Sequence, residues 1–132
     1  MIILSHCVFC QIRPEQVIAE NELAVALFDN YPVNRGHVLV VPKRHVETYF
    51  EATLEEMDAI TRLIIEVKDK LDQQFQPDGY NIGVNVGGAA GQTIFHLHVH
   101  VIPRYSGDVP DPRGGIRRIK KSLVPYLEEG EG

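Results

Sequence analysis

Residues 94–103 read Ile-Phe-His-Leu-His-Val-His-Val-Ile-Pro, and the alternation in their middle constrains the fold more than any other feature of the chain. A period of two belongs to a β-strand. His96, His98 and His100 then share one face, and Leu97, Val99 and Val101 share the other. The apolar face needs a layer to pack on, while three neighbouring imidazoles call for polar surroundings. With six histidines in 132 residues, three at alternate positions are more than a solvent-facing sheet surface requires.

The partner layer is easy to find. Residues 53–75 begin with Thr53 and Glu56 in capping-box spacing, which satisfies backbone donors at a helix start. Leu54, Met57, Thr61, Ile64, Val67 (or Lys68) and Leu71 then recur at helical spacing, and Pro77 to Gly79 stop the helix. Leu23 to Asp29 and His37 to Pro42 read as two strands joined by the turn-forming 30–36, an antiparallel pair. Tyr80 to Val86 reads as a further strand, followed by the glycine-rich loop 87–93. The segment after Arg104 is rich in proline, glycine and charge, and 115–127 is ambiguous between a late strand and a short helix. The fold class expected is α+β, an antiparallel sheet with one long helix packed on it, in a single domain spanning 1–132 with a core of about 7–108 and a C-terminal extension, 109–132.

Length and charge narrow the function. The chain is long enough for a real core, and 44% hydrophobic against 23% charged residues is ordinary for a globular protein. A net charge of −5 argues against a broad nucleic-acid or membrane-binding surface, although a local anion site stays open. The apolar start Met1 to Leu4 is too short for a signal peptide and nothing approaches a membrane span, so a cytoplasmic location is expected. The only cysteines, Cys7 and Cys10, have the C-x2-C spacing of a metal grip, with redox chemistry or a buried thiol pair as alternatives.

What the histidine face does follows from its dimensions. At about 3.3 Å per residue, His96 and His100 lie roughly 13 Å apart, too far for one ion with Zn–N bonds of about 2 Å. A division of labour fits better, with the central His98 doing chemistry and its neighbours assisting. A neutral imidazole is a nucleophile that needs no strong base. The loop 87–93 offers backbone N–H groups to phosphate oxygens, and Gln92 and Thr93 add side-chain donors.

These residues resemble a known family. His-Leu-His-Val-His-Val-Ile at 96–102 is similar to the His-φ-His-φ-His-φ-φ signature of the histidine-triad (HIT) superfamily, where φ is apolar. Gly36 to His45 resembles the strand bearing its fourth active-site histidine, and Asn85 to Thr93 its phosphate loop. The likeness runs from Cys7 to about Asp108 and implies a dimeric nucleotide hydrolase or transferase that attacks an α-phosphate, with a small-molecule nucleotide and a second copy of the chain as partners. By this resemblance His98 is the nucleophile, His100 bonds the phosphate and His37 supports the site. Asn85, Gly91, Gln92 and Thr93 lie at the phosphate, Asp29 at the ribose, and Leu27 and Phe28 beside the base. A homodimer is also expected because the helix's apolar stripe and an unpaired sheet edge are costly to expose.

The resemblance bears on the cysteines too. Some histidine-triad proteins use a C-x2-C pair, the histidine after the Pro-Lys strand and the first triad histidine to bind zinc. That implies a structural zinc on Cys7, Cys10, His45 and His96, with His6 as an alternative ligand. Gly91-Gln92-Thr93 before the triad and Pro103 to Asp108 after it resemble the dinucleoside polyphosphate hydrolase branch, and the chain has no tryptophan of the kind the phosphoramidase branch carries near its leaving group. The expected function is therefore a hydrolase acting on adenine dinucleoside polyphosphates or phosphoramidates. A phosphorylase, a nucleotidyltransferase and a non-catalytic nucleotide-binding module are the alternatives.

Overall fold

The computed structural model describes residues 6–120. Five strands form one antiparallel sheet: β1 (Val17–Glu20), β2 (Ala24–Phe28), β3 (Val38–Pro42), β4 (Gly79–Gly83) and β5 (Val99–Arg104). Their spatial order is β1-β2-β3-β5-β4, and one helix, α1 (Leu54–Phe75), lies across one face. This is the α+β arrangement expected. Strand β1 was not anticipated. It is short, and Asn21 makes its turn into β2 by accepting from the backbone N–H groups of Leu23 and Ala24 at 3.1 and 2.9 Å.

Helix α1 starts as its sequence dictates. Thr53 Oγ1 accepts from Glu56 N at 3.0 Å, and Glu56 Oε1 accepts from Thr53 N at 2.9 Å. Its buried face matches the apolar spacing only in part: Val67 and Leu71 are buried as expected, and Met57 and Ile64 are half-buried. Leu54 is 79% exposed, whereas Glu56, Ala59, Ile60, Leu63, Val67 and Leu71 face inward. A charged residue on the inner face hides the true stripe from a hydropathy pattern. Glu56 is tolerated there because Arg44 grips its carboxylate with two bonds, of 2.7 and 3.0 Å. The helix closes at Gln76, in the left-handed region (φ 48°), before Pro77.

Both faces of the sheet are covered. Ala24, Ala26, Val38, Val40, Val99 and Val101 pack under α1. Val25, Leu27, Leu39 and Val41 point the other way, beneath Cys7, Phe9 and the chain leading to β1. Leu39 pairs with His100, and paired residues share a face, so the histidines lie on this second side. That side is partly dry: His96 is 0% exposed.

The strand expected over 94–103 starts only at Val99. The register that sets Val40 against Val99 places Pro42 opposite Leu97, and proline has no N–H to extend the ladder. His96 and His98 therefore sit on a bent segment ahead of β5. It is held instead by Leu97 N donating to Val46 O at 2.7 Å. β4 likewise ends at Gly83, where the expectation ran to Val86. The ambiguous segment after Arg104 includes one 3-10 turn, Gly115–Arg118, and its portion from 121 on lies outside the described residues. Among the described residues, no helix is long and apolar enough to cross a membrane.

Candidate active site and metal centre

Hydrogen-bond partners fix the proton on each histidine of the site. A carbonyl oxygen can only accept, so the 2.8 Å contact from His98 Nδ1 to the His96 carbonyl puts the His98 proton on Nδ1. Its Nε2 keeps a lone pair. Val33 N donates to His37 Nδ1 at 2.9 Å, so the His37 proton is on Nε2, which donates to His100 Nδ1 at 3.0 Å. The His100 proton is then on Nε2. The site presents one imidazole lone pair, on His98, beside one imidazole donor, on His100, with ring centroids 5.2 Å apart.

Burial favours the neutral forms of His37 and His100. Desolvation pushes the pKa of His37 down, with the Asp29 carboxylate opposing it. Desolvation also lowers His100, helped by the neighbouring His98 and His37. The group of Asp29, His37 and His100 has the composition of a metal site. The Val33 hydrogen bond argues against that use, because a metal on His37 Nε2 would require an imidazolate. Gly36 makes the placement of His37 possible. At φ 83° it turns the chain where an added Cβ would meet the Phe75 ring at 2.9 Å.

A cavity of about 500 Å³ opens beside His98 and His100, within the usual range for small-molecule sites. Leu27, Phe28 and Leu39 give it apolar wall, and Asn85, Gly91 and Thr93 line it together with the histidines. Asp29 lines it as well. One of its oxygens accepts from Tyr31 N at 2.9 Å, closing the turn, and the other stands 3.5 Å from His37 Nε2. Asp29 is therefore a turn residue and a pocket residue at once. Phe9 was not anticipated: its ring lies 5.1 Å from that of His98 and forms part of the wall. Its position between the two cysteines was the only available signal.

The glycine-rich loop is more closed than its composition suggests. The N–H groups of Ala90, Gly91 and Gln92 are bonded to Gly87 and Gly88 carbonyls within the loop. The Gln92 side chain is buried and occupied: its oxygen accepts from Gly87 N at 2.9 Å, and its nitrogen donates to Glu47 O and Ile94 O. It braces the loop from behind, away from the cavity.

The second cluster joins chain segments far apart in sequence. One ligand atom from each of Cys7, Cys10, His45 and His96 lies within 4.8 Å of the others. His96 Nε2 donates to the Pro42 carbonyl at 2.8 Å, which leaves the Nδ1 lone pair facing the sulfurs. Burial lowers the His96 pKa, as suits a neutral ligand. Cys7 Sγ and Cys10 Sγ are 3.3 and 3.5 Å from His96 Nδ1, and Cys10 Sγ is 3.4 Å from His45 Nδ1. A tetrahedron with Zn–S of about 2.3 Å and Zn–N of about 2.0–2.1 Å gives S···N edges of roughly 3.5 Å. The donor set and its dimensions fit zinc, with all four positions taken by protein. His6, the alternative ligand, is exposed and outside this group.

The domain model described as "HIT domain" matches residues 11–107. The chain belongs to the HIT domain family. An AP-4-A phosphorylase of Mycobacterium tuberculosis, another HIT relative, is 42% identical over 96 residues, covering 70% of this chain and 48% of that protein. Adenylylsulfatase HINT3 of Arabidopsis thaliana is 34% identical over 123 residues, or 90% of this chain and 62% of that one. Both named relatives are enzymes. A zinc-bound histidine triad family protein from Mycobacterium smegmatis superposes with a TM-score of 0.72 at 32% identity, over 92% of this chain and 84% of that one.

Proposed function

We propose that this HIT protein is a nucleotide hydrolase acting at the α-phosphate of adenine nucleotides, dinucleoside polyphosphates or phosphoramidates, through a nucleotidyl-His98 intermediate that releases AMP. One observation carries the reading. The His98 Nδ1 proton is tied to the His96 carbonyl, so the Nε2 lone pair is left beside the cavity next to a neutral donor on His100. Nε2 attacks the α-phosphorus, a P–N bond forms, and the bond to the leaving group breaks. Water then attacks the same phosphorus and restores His98. Splitting the displacement removes the need for a base opposite the leaving group. His100 Nε2–H meets charge developing on a phosphate oxygen, with its tautomer set by His37. Asn85, Gly91 and Thr93 border the phosphate, and Asp29 faces the ribose hydroxyls. Leu27 and Phe28 flank the base, while Gln92 acts by bracing the loop.

Cys7, Cys10, His45 and His96 would hold a structural zinc, which supplies a rigid cross-link and no open position for water. Since the His96 carbonyl holds the His98 proton, that cross-link also steadies the nucleophile. The functional unit is proposed as a homodimer across the free edge of β4. Tyr80 reaches Asp72 and Lys68, so α1 flanks that edge, and the exposed Ile65 and Ile82 lie along the same rim.

Rapid quenching with labelled substrate should trap phosphorus on His98. His98→Ala should lower kcat by roughly 10³ or more while nucleotide affinity barely changes, because the bond is made on the way to the transition state. A His98→Ala protein that keeps most of its activity ends the proposal. The resemblance to an AP-4-A phosphorylase favours one second reading, in which inorganic phosphate replaces water on the same residues. Product analysis with and without phosphate separates the two.

A further inference from the structure

The cavity beside His98 suits a phosphorylated ligand, yet no Lys or Arg is among its described lining residues. The formal charge among these residues is the carboxylate of Asp29, and burial lowers the pKa of His100 beside it. Neutral donors can meet a single phosphoryl group. A chain of three or four phosphates needs cations.

A cationic segment stands next to this face. Arg113, Arg117, Arg118 and Lys120 place four of the chain's 13 Lys and Arg within eight residues, in a protein of net charge −5. The sheet register shows which side the segment covers. Gly83 pairs with His100, so a side chain at 83 would project to the face of the His100 imidazole. A Cβ built there would meet Ile116 Cδ1 at 3.7 Å. Two residues along β4 on the same face, the Asn81 amide stands 3.2 Å from a Cβ built at Gly115 and holds Arg104 Nη1 at 2.6 Å. The turn Gly115–Arg118 therefore lies on the histidine face of β4, one strand spacing (about 5 Å) from the strand that carries His100. The turn is aimed by Gly114 and Gly115, at φ 86° and 42°. Asp111 pairs with Arg113 and Arg118 at 3.2 and 3.6 Å in largely exposed contacts, which exchange for phosphate at little cost.

We propose that Arg117, Arg118 and Lys120 form a subsite for the phosphates beyond the α-phosphate. The subsite makes a polyphosphate chain, in preference to an amine or sulfate, the leaving group this protein selects. The inference rests on the assignment of α-phosphate attack to His98 and adds a selectivity that assignment does not contain. It also accounts for a function of the segment that follows the HIT match.

The test compares wild type with Arg118→Ala, Lys120→Ala and the double variant on diadenosine tetraphosphate and adenosine phosphoramidate. The ratio of kcat/KM for the tetraphosphate to that for the phosphoramidate should fall about tenfold in the double variant, the size expected for two partly exposed charged contacts. Wild-type kcat/KM should also fall more steeply with salt for the tetraphosphate than for the phosphoramidate. An unchanged ratio with equal salt slopes overturns the subsite. If wild type turns over neither substrate, the catalytic assignment fails instead. Calorimetry with adenosine tetraphosphate and AMP then decides the subsite alone: a preference for the tetraphosphate that the double variant loses supports it, and one the variant retains overturns it.

Discussion

Replacing His37 with phenylalanine tests the histidine relay without touching a group that contacts phosphorus. His37 is 2% exposed, and Phe keeps most of its volume, so the fold should survive. Two bonds disappear, the 2.9 Å bond from Val33 N and the 3.0 Å donation to His100 Nδ1. A buried acceptor left without a donor costs about 1–3 kcal/mol. His100 escapes that cost only by moving its proton to Nδ1, and then a lone pair faces the phosphate in place of an N–H. Losing a charge-assisted bond to the transition state costs about 1.5–3 kcal/mol. The two costs are alternatives and only the lost bond enters the barrier, so the loss is roughly 10–10² in rate at about 1.4 kcal/mol per decade. Single-turnover rapid quench should find the loss in nucleotidylation, with little change in nucleotide affinity. His37 and His100 act as one unit, so His37→Phe should add little to His100→Ala. A loss under tenfold, or full additivity of the two variants, refutes the relay.

Metal analysis of protein purified without chelator should find one zinc per chain, and Cys7→Ser should lower the thermal midpoint by about 10 °C while changing the chemical step less. Zinc-free protein with an unchanged midpoint counts against the site. Light scattering should give twice the 14.9 kDa chain mass, and Ile82→Asp should shift it toward one chain; a wild-type mass of one chain at micromolar concentration rejects the dimer. Arg44→Met should destabilise the fold by about 2 kcal/mol at neutral pH, since it strands the buried Glu56 carboxylate. The Arg44 hydrogen bond holds the Glu56 pKa below its ordinary 4.5, so this stability is present above that value and is lost as pH falls through the lowered one. Denaturant melts from pH 7 to 3 should show wild type and Arg44→Met converging in acid, and parallel curves would contradict the assignment.

Much of the fold was readable because its signals are local. Capping-box spacing located α1, and β-branched runs between turn residues located β2 and β3. The inner face of α1 was legible at Val67 and Leu71 but not at its first turn, because hydropathy counts Glu56 as a surface residue and the guanidinium that neutralises it comes from a loop twelve positions earlier. The strand through all three histidines was overextended because the donor missing at Pro42 is visible only once β3 and β5 are in register. Gln92 shows the same limit from the other side: its residue type suits a phosphate, while its neighbours in space have already taken both ends of the amide.

The sequence by itself determined the inventory: an alternating trio of histidines, a thiol pair at metal-ligand spacing, a glycine-rich loop and a segment rich in proline, glycine and charge after the last strand. Residue type sets what a group can donate, accept or ligate, and that chemistry travels with the chain. Only the tertiary structure decided which nitrogen of each histidine carries its proton. His96 turns to the thiols because its other nitrogen finds the Pro42 carbonyl, and His98 keeps a free lone pair because its proton finds the His96 carbonyl. His100 becomes a donor because Val33 has already fixed His37. A neutral imidazole has two equivalent ways to carry one proton, and only the groups packed around it choose between them.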